Sequence, residues 1–178
     1  MTVSEIIARL DALAEKHKWP TQCDADLVFD RPELRALLGI WRTKAGGGVP
    51  PRSAFDIRTL KSLASHVFIL ERAGTGEARR YQFRLFGSAH LQLFGEHTGR
   101  YLDEMVTPEM LSSWLAIYDG VLEARQPLRI VTHFHLPSLG FLNGEMLAAP
   151  MTDDTGGEQM ILGSTYVSPA NVLPSPIE

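Results

Sequence analysis

His133 and His135 are the sharpest chemical signal in the chain. Two histidines one residue apart on a strand project both imidazoles to the same side, a geometry that metal-binding barrels use. The ligand set then stops short. Glu145 could serve as a third ligand, but no histidine follows His135, and His90 and His97 would have to come from elsewhere in the fold. Solvent-facing or hydrogen-bonded histidines are several times commoner than metal ligands in such a pattern, so no metal site is assigned. The carboxylate pairs Asp103-Glu104 and Asp153-Asp154 are neighbours in turns, where acidic residues cap or face solvent. No Gly-x-Ser-x-Gly turn supports a serine hydrolase, and Gly163-Ser164 falls in an expected strand. Cys23 has no evident histidine partner, which argues against a reactive thiol. Gly46, Gly47 and Gly48 beside Lys44 suggest a phosphate-cradling loop only superficially. They follow a helical pattern and lead into Pro50 and Pro51 rather than opening a helix. No catalytic residue is assigned.

The elements that must carry these side chains follow from periodicity. Val3, Ile6, Ile7, Leu10, Leu13 and Ala14 form one helical stripe over residues 2–18, with Thr2 and Glu5 at capping-box spacing. Pro20 and the polar stretch to Asp26 break it. A second helix starts after Asp30 with Pro32 in its first turn, carries Leu34, Leu37, Leu38 and Trp41, and stops at the glycines. Residues 60–64 form a short helical turn. Residues 66–71 read as a central strand, and 73–79 as the turn of a hairpin. Tyr81, Phe83 and Leu85 alternate with Gln82 and Arg84, which predicts a half-buried strand with those three on one face. Gly87 ends it, Ser88 caps a short helix over 89–94, and Gly95 closes that helix. The clearest helix starts at Thr107 and Pro108 and repeats Leu111, Trp114, Leu115, Tyr118 and Leu122 before Pro127. Three strands follow, over 128–135, 141–149 and 159–167, with bends expected at Asn143-Gly144 and 153–157. The order predicts an α+β domain: a five-stranded antiparallel sheet with helices on one face, preceded by N-terminal helices.

The run from Tyr81 to Met105 resembles the middle of a PAS sensory domain, on Tyr81, Phe83, Arg84, Leu85, Gly87, Ser88, Gly95, Thr98, Gly99, Arg100 and Leu102. Trp41-Arg42, Pro51-Arg52, Phe55-Asp56, Leu147, Pro150, Met151 and Leu162 extend the likeness to roughly residues 35–168, closest to small stand-alone bacterial PAS-like proteins. It implies a non-catalytic sensory or regulatory module that acts on a signalling protein partner in trans. The expected organisation is a helical extension over 1–30, a PAS-like domain over 31–168 and a disordered tail over 169–178.

Composition narrows the partners. The 178 residues are 44% hydrophobic, enough for a real core, and the net charge of -4 gives no footprint for nucleic acid. One cysteine excludes an internal disulfide. No run is apolar for the length of a membrane span or signal sequence, so no membrane partner and a cytoplasmic location are expected. The stripe on the first helix needs a covering surface, and a second copy, hence a homodimer, is expected to supply it.

The resemblance also brings cofactors that the sequence can test. Flavin-binding relatives carry a reactive cysteine where residues 87–94 have none, haem-binding ones an axial histidine where residues 107–126 have none, and a thioester-forming cysteine is absent. No cofactor is assigned, and a small apolar ligand is expected instead. Its wall would come from Tyr81, Phe83, Leu85, Phe94, Tyr101, Trp114 and Tyr118, residue types that more often fill a core. The rival readings are a ketosteroid-isomerase-like or cyclase-like enzyme, which needs a carboxylate in the apolar cup, and a structural dimerisation domain. Protein expressed with flavin and haem precursors should show neither a flavin band pair nor a Soret band; either one in its absorption spectrum would refute the assignment.

Overall fold

The computed structural model describes residues 1–157 and 159–170. The first helix, α1 (Val3–His17), begins with the anticipated capping box. Thr2 Oγ1 accepts from the Glu5 amide and the Glu5 carboxylate accepts from the Thr2 amide. The polar break after Pro20 is a strand, β1 (Thr21–Asp24), and α2 (Pro32–Ala45) follows with Pro32 at its start. Then come α3 (Ile57–Leu60), β2 (Val67–Ala73), β3 (Arg80–Phe86), α4 (Ser88–Phe94) and α5 (Pro108–Ala124). The chain ends in β4 (Leu128–Leu136), β5 (Gly140–Met151) and β6 (Met160–Pro169).

The strands form one antiparallel sheet in the order β1-β4-β5-β6-β2-β3. It has six strands, one more than the five expected, because Thr21–Asp24 pairs with β4. Four polar or small residues carry too little alternation to announce a strand; the open edge of β4 selects them. Asn143-Gly144 does not bend the chain but lies inside β5, paired with His133 and Thr132. A Cβ on Gly144 would stand 3.1 Å from Thr132 Cγ2, so the glycine serves close packing between strands rather than a turn. The β4–β5 turn is at Pro137, Ser138 and Leu139 instead. At the C-terminus, β6 runs on to Pro169, which pairs with Leu142; residues 171–178 of the expected disordered tail lie outside the described residues.

Two cores flank the sheet. Alternation puts Leu70, Ile130, Met146, Ala148 and Ile161 in one, with α5 and α1, and Ile69, Leu147, Ala149 and Leu162 in the other, with α2. Of the N-terminal helices, α2 covers the face opposite α5, and its Trp41 indole donates to the Pro150 carbonyl at 2.9 Å. The chain crosses from one face to the other between Asp24 and Arg31, around Arg129. That guanidinium donates to Glu145 at 2.8 Å and to Asp24 at 3.2 Å, while Glu145 also accepts from the Asp30 and Arg31 amides. Among the described residues no helix is long and apolar enough to cross a membrane.

The α1 stripe is covered in part. Ile6 and Leu10 are buried against α5, where a Cβ on Gly120 would stand 3.3 Å from each of them, while Val3, Ile7, Leu13 and Ala14 of the same stripe are only half-buried. Ile6→Ala should therefore cost roughly 2–5 kcal/mol, measured by urea unfolding at two protein concentrations. A loss that varies with concentration would instead place the stripe between copies.

Candidate functional site

The site is built on the β2–β3 hairpin, where the pairing slips by one residue. Leu70 pairs with Phe83 but Ile69 pairs with Leu85, so Arg84 is an extra, exposed residue, a β-bulge. One inserted residue inverts the alternation beyond it. Tyr81, Phe83 and Phe86 consequently share the α5 side, and Leu85 turns to the α2 side, against the period-two expectation.

Beyond the bulge the backbone is held tightly. A Cβ on Gly87 would collide with the Ser65 carbonyl, so only glycine lets the chain turn there into α4. A Cβ on Gly163 of β6 would overlap the Phe68 ring, which lies flat on that glycine. Helix α5 lies over the same sheet face, the Trp114 and Tyr118 rings stacked at 5.6 Å. Between sheet, α4 and α5 a void of about 250 Å³ remains. Phe68, Phe83, Phe86, Trp114, Tyr118 and Met146 line its depth. Leu102, Met105, Val106 and Met110 line the segment leading into α5 and its first turn. Phe94 of α4 meets Phe134 of β4 across it at 6.0 Å between ring centroids.

Its polar members are few: Thr107, Thr132, Thr165, His90 and His135, with the hydroxyl of Tyr118 and the indole N–H of Trp114. The Thr132 hydroxyl is engaged with Thr21 at 2.8 Å, and the His135 ring packs on Phe141 at 4.9 Å. Among the described residues, no Asp, Glu, Lys or Arg lines the void. His90 is the exception within this wall. It is 3% exposed, and neither ring nitrogen has a hydrogen-bond partner. The rings of Phe86, Phe68 and His66 surround it at 5.3, 5.7 and 6.3 Å. Burial pushes its pKa down to about 4, and proximity to His66 adds to the shift. The Thr165 backbone opposes the shift from nearby without forming a hydrogen bond of good geometry. The ring is thus neutral at pH 7.

The sequence pattern that defines the PAS domain matches residues 29–166, well over half of the chain. The chain belongs to the PAS domain family. Among solved structures this PAS domain is similar to a variant PAS-B domain of Drosophila melanogaster Cycle with bound glycerol, at 14% identity and a TM-score of 0.41, over 57% of this chain and 99% of that one. It is also similar to the light state of the Aureochrome1 LOV photoreceptor, at 14% identity and a TM-score of 0.41, over 65% and 90% of the two chains. A sensory box histidine kinase/response regulator from Burkholderia thailandensis aligns at 13% identity and a TM-score of 0.38, over 63% and 84%. No curated protein matches it.

Of the residues expected to form a ligand wall, this PAS domain brings Phe83, Phe94, Trp114 and Tyr118 together around the void. Tyr81 lies in the same core but outside the lining. Its hydroxyl donates to Asp119 at 2.8 Å, a carboxylate that Arg79 also engages. Leu85 is on the wrong face because of the bulge. Tyr101 is outside as well, its ring under the Arg80 guanidinium at 3.7 Å, and its neighbour Leu102 points inward instead. On β4 the alternate residues Thr132, Phe134 and Leu136 line the void by their phase, and of the histidine pair His135 also borders it. His133 is exposed and bonded to Asn143 at 2.5 Å. His90 could have been suspected only as a lone histidine in an apolar short helix.

His90 predicts an acid-side instability. Its folded pKa of about 4 lies below its ordinary value of 6.5, so the unfolded chain binds the extra proton between those limits. Stability is full above pH 6.5 and falls by roughly 3 kcal/mol as pH drops to 4. His66, also shifted down by burial, acts in the same direction. Urea titrations at several pH values should show a shallower slope in His90→Leu than in the parent protein; equal slopes would refute the assignment.

Proposed function

We propose that this PAS domain is a non-catalytic sensory module that admits a small, largely apolar molecule to the void between α4, α5 and the sheet and reports its presence to a signalling partner in trans. The observation that carries the reading is an uncollapsed space of about 250 Å³ within an aromatic and aliphatic wall. Protein interiors ordinarily close such space, since each unfilled surface forfeits its dispersion contacts. An enzyme of the ketosteroid-isomerase type is disfavoured, because among the described residues the lining holds no carboxylate to act as a base. The reading assigns no metal, flavin or haem, and it puts the module in the cytoplasm with residues 31–168 as its sensory unit. Phe83, Phe94, Trp114 and Tyr118 are its expected ligand contacts.

Two measurements test it. Native mass spectrometry of the purified protein should detect a bound small molecule, and a panel of apolar compounds should raise the melting temperature by mass action. Met110→Trp, which puts an indole where a half-buried methionine borders the void, should keep the fold and abolish the shifts. No retained molecule and no shift in the parent protein would leave this void a packing defect.

A further inference from the structure

The unpartnered imidazole of His90 narrows what the void can hold. We infer that the occupant is an uncharged, predominantly aromatic molecule of about two fused rings, with one hydroxyl-type group bound by His90. The inference rests on the ligand-binding reading above and deepens it.

Charge is decided by the wall. With no Asp, Glu, Lys or Arg along it among the described residues, an ionised occupant would lose its hydration and find no counter-charge, a loss that burial does not repay. Size follows from the space. A cavity of about 150 Å³ lined by aliphatic and aromatic side chains holds benzene, and the present void of about 250 Å³ has room for a second fused ring. Aromatic character follows from the faces and edges offered by Phe83, Phe86, Phe94, Phe134 and Trp114, which favour offset and edge-to-face partners.

The polar group follows from His90. A buried donor and acceptor without partners is a standing cost that most proteins avoid. The neutral ring offers one of each, and a hydroxyl can complement either nitrogen because it both donates and accepts. As the ring stands, both nitrogens are buried and neither faces the void, so binding requires the ring to turn about its Cβ–Cγ bond, a broad two-fold torsion. A purely hydrocarbon ligand would fill the space and leave the orphan nitrogens as they are. A carboxylate would bring its own uncompensated charge.

Calorimetric titration of the full chain with naphthalene, naphthol and naphthoate at pH 7 separates these cases. Naphthol should bind about three- to tenfold more tightly than naphthalene, the margin one net hydrogen bond supplies, and naphthoate should not bind measurably. In His90→Leu the naphthol preference should vanish while naphthalene binding persists. In His90→Gln, which keeps a donor and an acceptor, the preference should be retained at least in part. Circular dichroism checks that each variant is folded, and the imidazole resonances of the parent protein should shift with naphthol but not with naphthalene. Equal affinity for naphthalene and naphthol, a preference surviving in folded His90→Leu, or tight naphthoate binding would each overturn the inference while leaving an apolar ligand site intact. Binding of none of the probes would remove the ligand-binding reading itself, and the inference with it.

Discussion

The architecture depends on a buried guanidinium. Arg129 is almost wholly enclosed, and Glu145 and Asp24 hold it from β5 and β1. Asp24, the anchor on β1, is the last residue before the chain leaves for the other face. Glu145 caps the amides of Asp30 and Arg31, where the chain arrives to begin α2. One ion cluster therefore fixes both ends of the crossing that puts α1 on one side of the sheet and α2 on the other. Such a cluster need not add net stability over an apolar packing of equal volume, but removing one partner strands the others in a medium that cannot solvate them. Its worth here lies in specifying where the chain turns.

With both faces covered, the sheet is an interior layer, and the void arises from local geometry on one side of it. The bulge at Arg84 delivers Phe86 to that side, and Gly163 accepts the Phe68 ring flat against β6. Gly87 brings α4, with His90, close to the backbone before β2. Each feature sets a part of the wall of the space, and α5 spans what is left. An imidazole without hydrogen-bond partners borders this space; among the described residues His97 Nδ1 and Glu33 Oε2 are also buried without a hydrogen bond.

Much of the fold was legible. Capping and periodicity marked α1, α2 and α5, whose signals are local: a hydroxyl before a carboxylate three residues on, a proline at the first turn, apolar residues every three or four positions. The strands with long apolar runs were legible for the same reason. The Asn143-Gly144 pair shows where local reading fails. Its turn propensity was overruled because strands on both sides needed a residue without a side chain. Thr21–Asp24 shows the converse, a strand with no pattern of its own that exists because β4 had an unpaired edge.

The wall of the void divides along the same line. Phe83, Phe94, Trp114 and Tyr118 were identifiable from period and residue type alone, since each lies where the local repeat continues unbroken. Phe86 in place of Leu85 could not be read, because a one-residue slip in pairing reverses every side chain after it and leaves no mark in composition; Leu102 in place of Tyr101 rests on the distant Arg80 guanidinium that holds the Tyr101 ring outside. His90 was present in the sequence as one of six histidines. Only the tertiary structure made it the one in the wall of the void with two orphan nitrogens. By itself the sequence determined the helices, most of the strands and the apolar character of the interior, because those depend on neighbours within a few residues. The chain crossing, the phase of β3 and the open space beside His90 were decided by contacts between residues far apart, which only the folded chain brings together.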